Sequence, residues 1–231
     1  VTNEAGGVER DLQSYNAATN GVQVFSGQIS GEGIVQRSGA AGSPPGTTIL
    51  TGDNTYSGGT VVNYGTLLAN NTTGSALGSG AVAITNLGVL GGKGSVVATT
   101  TVSSGGTVSP GTNASNISKL AISDLSLGAG GNYIWKIASA TGAAGTAWDV
   151  LEVTSWTDSA SSVNPFTIKV SSMGVSPAGW SASTARDWVI IQSASYPSFS
   201  INNFTIDTAD FKGSVAGVFG LLCIPLELTV C

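Results

Sequence analysis

The chain has 231 residues, of which 9% are charged, 41% are hydrophobic and 33 are glycine. This apolar fraction is too high for a disordered polar chain, and many glycines with few charges are typical of exported β proteins rich in turns. The net charge of −5, with no basic stripe, excludes a nucleic-acid partner. The absence of histidine excludes Ser-His-Asp triads, Cys-His dyads and histidine metal sites.

Residues 1–21 have no clear periodicity and are predicted to form an N-terminal arm or cap. They lack a signal-peptide pattern and do not begin with Met, which indicates a processed or trimmed form of an exported protein. The longest apolar run, Val215–Leu226, is too short and too interrupted by Gly and Pro to cross a bilayer of roughly 30 Å. We therefore expect no membrane span.

Residues 22–128 are predicted to form the coils of a β solenoid. Short β-branched segments such as Thr60–Asn63 and Thr66–Ala69 alternate with glycine-bounded turns. The Gly-aliphatic phrases that begin at Gly65, Gly88 and Gly106 recur at 23 and 18 residues, close to the length of one coil. No segment has a sustained 3.6-residue apolar period, so little helix is expected.

Residues 129–231 are predicted to form wider β-helix coils or a β-sandwich-like cap with a Cys-bearing tail. Twelve of the sixteen aromatic residues, including all five tryptophans, lie beyond residue 130, which indicates a thicker core. A solenoid also needs capped ends, because an open coil exposes apolar side chains and unpaired backbone groups. The predicted strands here are Tyr133–Ile137, Asp149–Val153, Phe166–Val170, Trp188–Gln192 and Phe204–Ile206.

The two cysteines, Cys223 and Cys231, both lie in the last nine residues. A solitary local pair favours an intrachain disulfide that pins the C-terminus in an oxidising compartment. Two free thiols or an intersubunit bridge remain alternatives, because spacing alone does not establish the required approach of the Cα atoms.

Carboxylates are the only candidates for acid–base chemistry. Asp149 and Glu152 lie three apart in an alternating strand, so they are predicted to point to opposite faces. Asp207 and Asp210 are close in a predicted loop, but Ca²⁺ takes about six to eight oxygen ligands. We therefore assign no catalytic, cofactor-binding or metal-binding residue and expect no cofactor.

The remaining chemistry-bearing side chains are cations and tryptophans. Trp156 and Trp180 would form a sugar platform if they lay on loops, whereas burial in the core or cap is favoured for most tryptophans. The eight cations are scattered and predicted to be solvated surface charges: Arg10, Arg37, Lys93, Lys119, Lys136, Lys169, Arg186 and Lys212.

Three phrases of the repeat region carry a family resemblance. They are LTGDNTYSGGTVV (Leu50–Val62), YGTLLANNTTGSALGSGAVAI (Tyr64–Ile84) and SSGGTVSPGT (Ser103–Thr112). Together they resemble the autotransporter-associated β-strand repeat of bacterial passenger-type surface proteins. The resemblance implies a right-handed parallel β-helix, secretion, a cell-surface or extracellular role, and no shared catalytic residues. The tail LLCIPLELTVC departs from the family phrase.

The leading hypothesis is a non-enzymatic, secreted structural protein, a β-helix rod at the cell surface or in an extracellular fibre or matrix. Its N-terminal arm and Cys-bearing C-terminal strand are candidate connectors for end-to-end assembly by strand addition, which would give a homo-oligomer or filament. The alternative is a monomeric adhesin or carbohydrate-binding module with a glycan or host-surface ligand. A polysaccharide-degrading β-helix enzyme is less favoured.

Overall fold

The structure, a computed structural model, describes residues 2–3, 10–11, 21–39, 45–195, 200–217, 219–224 and 227–230. Within these ranges there is no α-helix, only a short 3₁₀ turn at Ile201–Asn203, so the predicted all-β class is confirmed. The same ranges contain no helix with the length and apolarity needed to cross a membrane. The strands are β1 (Thr2–Asn3), β2 (Arg10–Asp11), β3 (Val22–Phe25), β4 (Ser30–Gly31), β5 (Val35–Arg37), β6 (Thr47–Leu50), β7 (Thr60–Ala69), β8 (Val82–Gly92), β9 (Ser95–Val102), β10 (Thr107–Pro110), β11 (Lys119–Gly128), β12 (Asn132–Lys136), β13 (Val150–Ser159), β14 (Phe166–Ser171), β15 (Trp188–Ser193), β16 (Phe204–Asp207), β17 (Leu221–Ile224) and β18 (Glu227–Val230).

Sixteen of these strands form one curled sheet, and β1 pairs with β4 in a separate two-stranded sheet. A first column of parallel strands runs β3, β6, the second half of β7, the second half of β8, β10, β12, β14 and β16. A second column runs β2, β5, the first half of β7, the first half of β8, β9, β11, β13 and β15. Within each column, paired strands occur one after the other in chain order. Each segment of the chain therefore pairs with the segment that follows it.

Strand β7 serves both columns because it bends in its middle. Its register against β8 shifts between Val62 and Tyr64, which turns the second half of the strand toward the first column. The two predicted segments Thr60–Asn63 and Thr66–Ala69 are therefore one strand. Strand β11 lies in a region for which we predicted no strand.

Paired residues from β1 to β11 are 18 to 28 positions apart along the chain. The hydrogen bonds from Ile29 to Asn54 and from Ser95 to Asn71 join residues 25 and 24 positions apart. Between β11 and β13 the separation is 31 residues, and between β14 and β16 it is 38. The added residues lie in the loops, since each strand still pairs with the next one in its column. The domain boundary at residues 128 and 129 stays a prediction.

Glycine is required where one segment passes closest to the next. A Cβ atom on Gly58 would lie 2.4 Å from the Glu32 carbonyl oxygen, and one on Gly80 would lie 2.2 Å from that of Ser57. Both distances are shorter than any van der Waals contact, so only a residue without a side chain fits. The recurrent glycines of the sequence therefore reflect this close stacking.

Each column has an inward row of apolar side chains that stack from strand to strand. In the first column the row is Leu67, Leu90, Val108, Tyr133 and Ile168, all buried and in register. Because each side chain covers the one on the strand before it, the core is continuous along the sheet.

Two buried asparagines bridge successive segments. The Asn54 Oδ1 accepts from the Ile29 N–H (2.7 Å), and its Nδ2 donates to the Ala76 carbonyl (2.5 Å). The Asn71 Oδ1 accepts from the Ser95 N–H (2.8 Å) in the same manner. Each amide thereby satisfies buried backbone groups at turns where the strand ladder is interrupted.

The two columns end differently at the C-terminal end. Strand β15 pairs antiparallel with β18, which pairs antiparallel with β17, so a hairpin covers the end of the second column. Strand β16 ends the first column and pairs with β14 alone within the described residues.

Replacing Asn54 with Ala should lower the free energy of unfolding by about 2–4 kcal/mol, because the Ile29 N–H and Ala76 C=O remain buried without a partner. Urea denaturation followed by circular dichroism measures this loss. Thr72→Ala, an exposed change in the following turn, is the matched control and should stay within about 0.5 kcal/mol of wild type. Equal stability of the two variants would contradict the bridging role.

Candidate functional site

A buried ion pair lies between the end of β12 and the start of β13. The Lys136 Nζ is 2.6 Å from the Asp149 Oδ2, and the two side chains are 1% and 0% exposed. The ammonium also donates to the Ser109 Oγ (3.0 Å) and the Pro110 carbonyl (2.5 Å). The Asp149 Oδ1 accepts from the Ser118 N–H at 2.8 Å. All charged groups of the pair are thus hydrogen-bonded.

Burial raises the pKa of the Asp149 carboxyl to about 6, against the opposing effects of Lys136 and of the backbone N–H donors. Burial, and secondarily the charge of Asp149, hold the pKa of the nearby Tyr133 hydroxyl well above its usual value. A carboxyl with a pKa near 6 suits a general acid, but this one is enclosed. The pair therefore ties β10, β12 and β13 together.

This pair corrects the expectation that all eight cations are solvated. Lys136 is fully buried, and Arg37 is buried as well, with its Nη2 donating to the Gly46 carbonyl at 2.8 Å. Buried cations of this kind are retained only with well-placed acceptors, which scattered spacing in a sequence does not reveal.

Asp149 and Glu152 point to opposite faces, as predicted. Asp149 faces the interior, whereas Glu152 forms an exposed ion pair with Lys119 on the outer face, also at 2.6 Å. The two carboxylates therefore do not form a catalytic pair.

The predicted loop carboxylates lie at the end of the first column. Asp207 is the last residue of β16, where its Oδ1 accepts from the Ala209 N–H (3.0 Å), and Asp210 lies in the turn that follows. Nowhere in the described ranges do three His, Cys, Asp or Glu side chains come together to hold a metal ion.

The cysteine pairing stays a prediction. Cys223 lies in β17, but its side chain is outside the described residues, and so is the whole of Cys231.

The two tryptophans considered as a sugar platform have different positions. Trp156 is buried within β13 and so cannot bind a ligand at the surface. Trp180 lies on the loop between β14 and β15, where it is half-buried in an aromatic cluster. Its ring stacks on Trp188 (centroids 5.7 Å apart) and on Phe219 (5.9 Å), and meets Phe211 edge-on at 4.6 Å.

The aromatic cluster forms one side of a cleft of about 340 Å³. One wall is the loop from Ser181 to Arg186, and the other is the segment from Val215 to Gly217. The Trp180 Nε1 donates to the Ser214 carbonyl (2.8 Å) and holds the two walls together. The volume is at the lower end of the range for small-ligand sites, roughly 300–1,000 Å³.

Arg186 is the charged side chain of this cleft. Its Nη1 is 3.4 Å from the Ala140 carbonyl, and its Nε is buried without a hydrogen-bond partner in the described structure. Both ion pairs among the described residues involve other side chains, so no described carboxylate neutralises this guanidinium. Arg186 and Trp188 also line an adjoining cleft of about 380 Å³ that contains Thr141 and Trp148.

Comparison with known proteins places the repeat in a family. Residues 45–69 match the model of the passenger-associated-transport-repeat family, and they run from two residues before β6 to the end of β7. A stretch of 111 residues, 48% of this chain, is 36% identical to the adhesin BmaC autotransporter of Brucella suis biovar 1 (strain 1330). The stretch covers 3% of that adhesin, so the chain spans a small part of its relative's length.

These matches confirm the resemblance predicted from the sequence: the chain carries an autotransporter passenger repeat. The matched segment contains Asn54 and Gly58, which make the contacts between successive segments. The matches support the expected secreted or cell-surface location.

Removing Lys136 should destabilise the fold far more than removing Lys119, although both lysines pair at 2.6 Å with a carboxylate of the same region. Lys136→Met leaves Asp149 buried and uncompensated, which costs about 3–5 kcal/mol. Lys119→Met breaks an exposed pair worth about 0–1 kcal/mol. Urea denaturation should also show partial recovery in Lys136→Met/Asp149→Leu. Equal losses of stability in Lys136→Met and Lys119→Met would contradict the conclusion that burial makes the Lys136–Asp149 pair the more important one for stability.

The stability of the protein should depend on the protonation of Asp149. Its raised pKa means that the folded state binds the proton more tightly than the unfolded chain, so this contribution is full below about pH 4 and is lost as the pH rises to about 6. Wild type should therefore lose roughly 2–3 kcal/mol relative to Asp149→Asn between pH 4 and 7. Urea denaturation of both proteins across this range measures the difference, and a constant difference would refute the assignment.

Proposed function

We propose that this chain is a β-helical segment of an autotransporter passenger and acts as a non-enzymatic rod that displays its loops at the bacterial surface. The observation that carries the proposal is the ordered parallel stacking of successive segments in columns. The pairs β1–β4, β2–β5 and β3–β6 join the first three strands to the next three in the same order, as in successive coils. The match to a passenger repeat supports the same winding.

Among the described residues β3 pairs only with β6 and β16 only with β14, so the outer edges of these two strands support end-to-end assembly. The carbonyls of Gly21 and Phe25 accept from the N–H groups of Thr47 and Thr51, so the alternate peptide groups of β3, those of Val22 and Val24, face away from β6. At the other end, β16 runs in the same direction. A β3 strand from a second copy would therefore continue the column in parallel, and repetition of this contact gives a filament.

A second function, adhesion by the monomer, is supported by a different observation. The adhesin relative and the cleft beside Trp180 favour ligand binding through the loops, which does not require assembly. Display and binding are compatible, because the loops lie outside the paired columns.

Negative-stain electron microscopy and light scattering at rising concentration test the assembly. Eight strand levels at about 4.8 Å each predict filaments with an axial repeat of about 40 Å. Val24→Pro removes an outward N–H and should abolish the filaments, whereas Val24→Ala keeps the N–H and should retain them. Monomers at every concentration would refute end-to-end assembly, and filaments of Val24→Pro would refute the β3 edge as the contact.

A further inference from the structure

We propose that the cleft beside Trp180 binds a saccharide that carries a carboxylate, with Arg186 as the residue that recognises the acid group. Such a site rests on the proposed surface role, because a displayed or secreted protein meets such saccharides outside the cell. Three properties of the cleft carry the assignment: an unpaired guanidinium, an aromatic wall and a rim of hydroxyl groups.

The guanidinium supplies a charge that no carboxylate of the described residues neutralises. Burying the Arg186 Nε without an acceptor costs free energy, and its neighbouring Nη1 makes one long contact with the Ala140 carbonyl. A carboxylate binds one edge of the planar arginine fork through two parallel hydrogen bonds, and the edge formed by Nε and Nη2 makes no hydrogen bond with the described residues. The adjoining cleft that Arg186 also lines contains Asp187, so the acid group is placed in the cleft beside Trp180, whose described lining contains no carboxylate.

The rest of the cleft fits a saccharide better than an acidic peptide. Trp180 and Phe219 line the cleft with apolar surface that suits the C–H groups of a sugar, and Ser183 and Thr184 place exposed hydroxyls on the loop wall. A sugar ring presents both an apolar face and hydroxyls within one unit, which matches this arrangement. An extended peptide would need a row of open backbone donors and acceptors, as at a sheet edge.

Binding is measured on an array of sialylated, glucuronylated and galacturonylated glycans with their neutral counterparts, followed by titration of tryptophan fluorescence. The probes for titration are 3′-sialyllactose, tri-galacturonic acid and lactose. We expect binding of at least one acidic probe, no binding of lactose at the same concentration, and weaker binding as salt is raised.

Arg186→Gln should weaken the acidic interaction by about 10- to 100-fold, because a charged hydrogen-bond donor is lost. Lys93→Gln removes an exposed positive charge on the turn between β8 and β9 and is the matched control, with unchanged affinity expected. Thermal unfolding of both variants should match wild type, which separates loss of binding from loss of fold.

The outcomes separate this site from the proposed function. Absence of acidic-glycan binding, or binding that Arg186→Gln leaves unchanged, overturns the site and leaves the rod and its assembly intact. Binding of acidic peptides through Arg186, without binding of acidic glycans, would refute a saccharide as the ligand of this cleft. Filament formation by Arg186→Gln is checked in the same preparations. This result shows whether assembly fails independently of glycan binding.

Discussion

Parallel pairing between successive segments places their equivalent positions directly over one another. A side chain in one segment therefore packs against the side chain at the equivalent position of the next segment. The residue types at these two positions must therefore be compatible with this contact. Leu67 and Leu90 pair in this way in the core, whereas Gly58 lies against the backbone of Glu32, and Gly80 against that of Ser57, too closely for a Cβ atom. At a turn the strand ladder stops, and backbone groups would otherwise lack partners. The buried amide of Asn54 supplies hydrogen bonds to them there.

The sequence allowed the strands to be predicted wherever this repetition was visible. Glycine-bounded β-branched segments mark β7 to β10, and the longer apolar strands from β12 to β16 stand out by their aromatic residues. Strand β11 was missed because Lys119–Gly128 has neither a strong glycine-bounded β-branched pattern nor aromatic residues. The burial of Lys136 was missed for another reason: its acceptor, Asp149, lies beyond a loop, and no local pattern reveals contacts made across it.

The ion pair occurs where the spacing between segments lengthens. Residues 138–148 form an insertion between β12 and the start of β13, and Asp149 is the residue at which the chain returns to the sheet. Its carboxylate receives the Ser118 N–H from before β11 and the ammonium from the end of β12, so the returning strand is held on both sides. A hydrophobic contact would bury area here without fixing register, whereas a paired charge that must be fully satisfied accepts one arrangement.

The same insertions explain why the candidate binding site could not be predicted as a unit. Trp180 and Arg186 lie on the loop between β14 and β15, whereas Phe219 follows β16, and the strands between them set their distance. Because the columns are held by backbone pairing and inward side chains, residues in these loops can change without disturbing the stack. A protein built in this way separates two requirements: repetition determines the length of the stacked columns, and irregular loops determine what the protein contacts. Ligand-binding residues are therefore expected where the repeat is least regular, and sequence periodicity, which detects the rod, does not detect them.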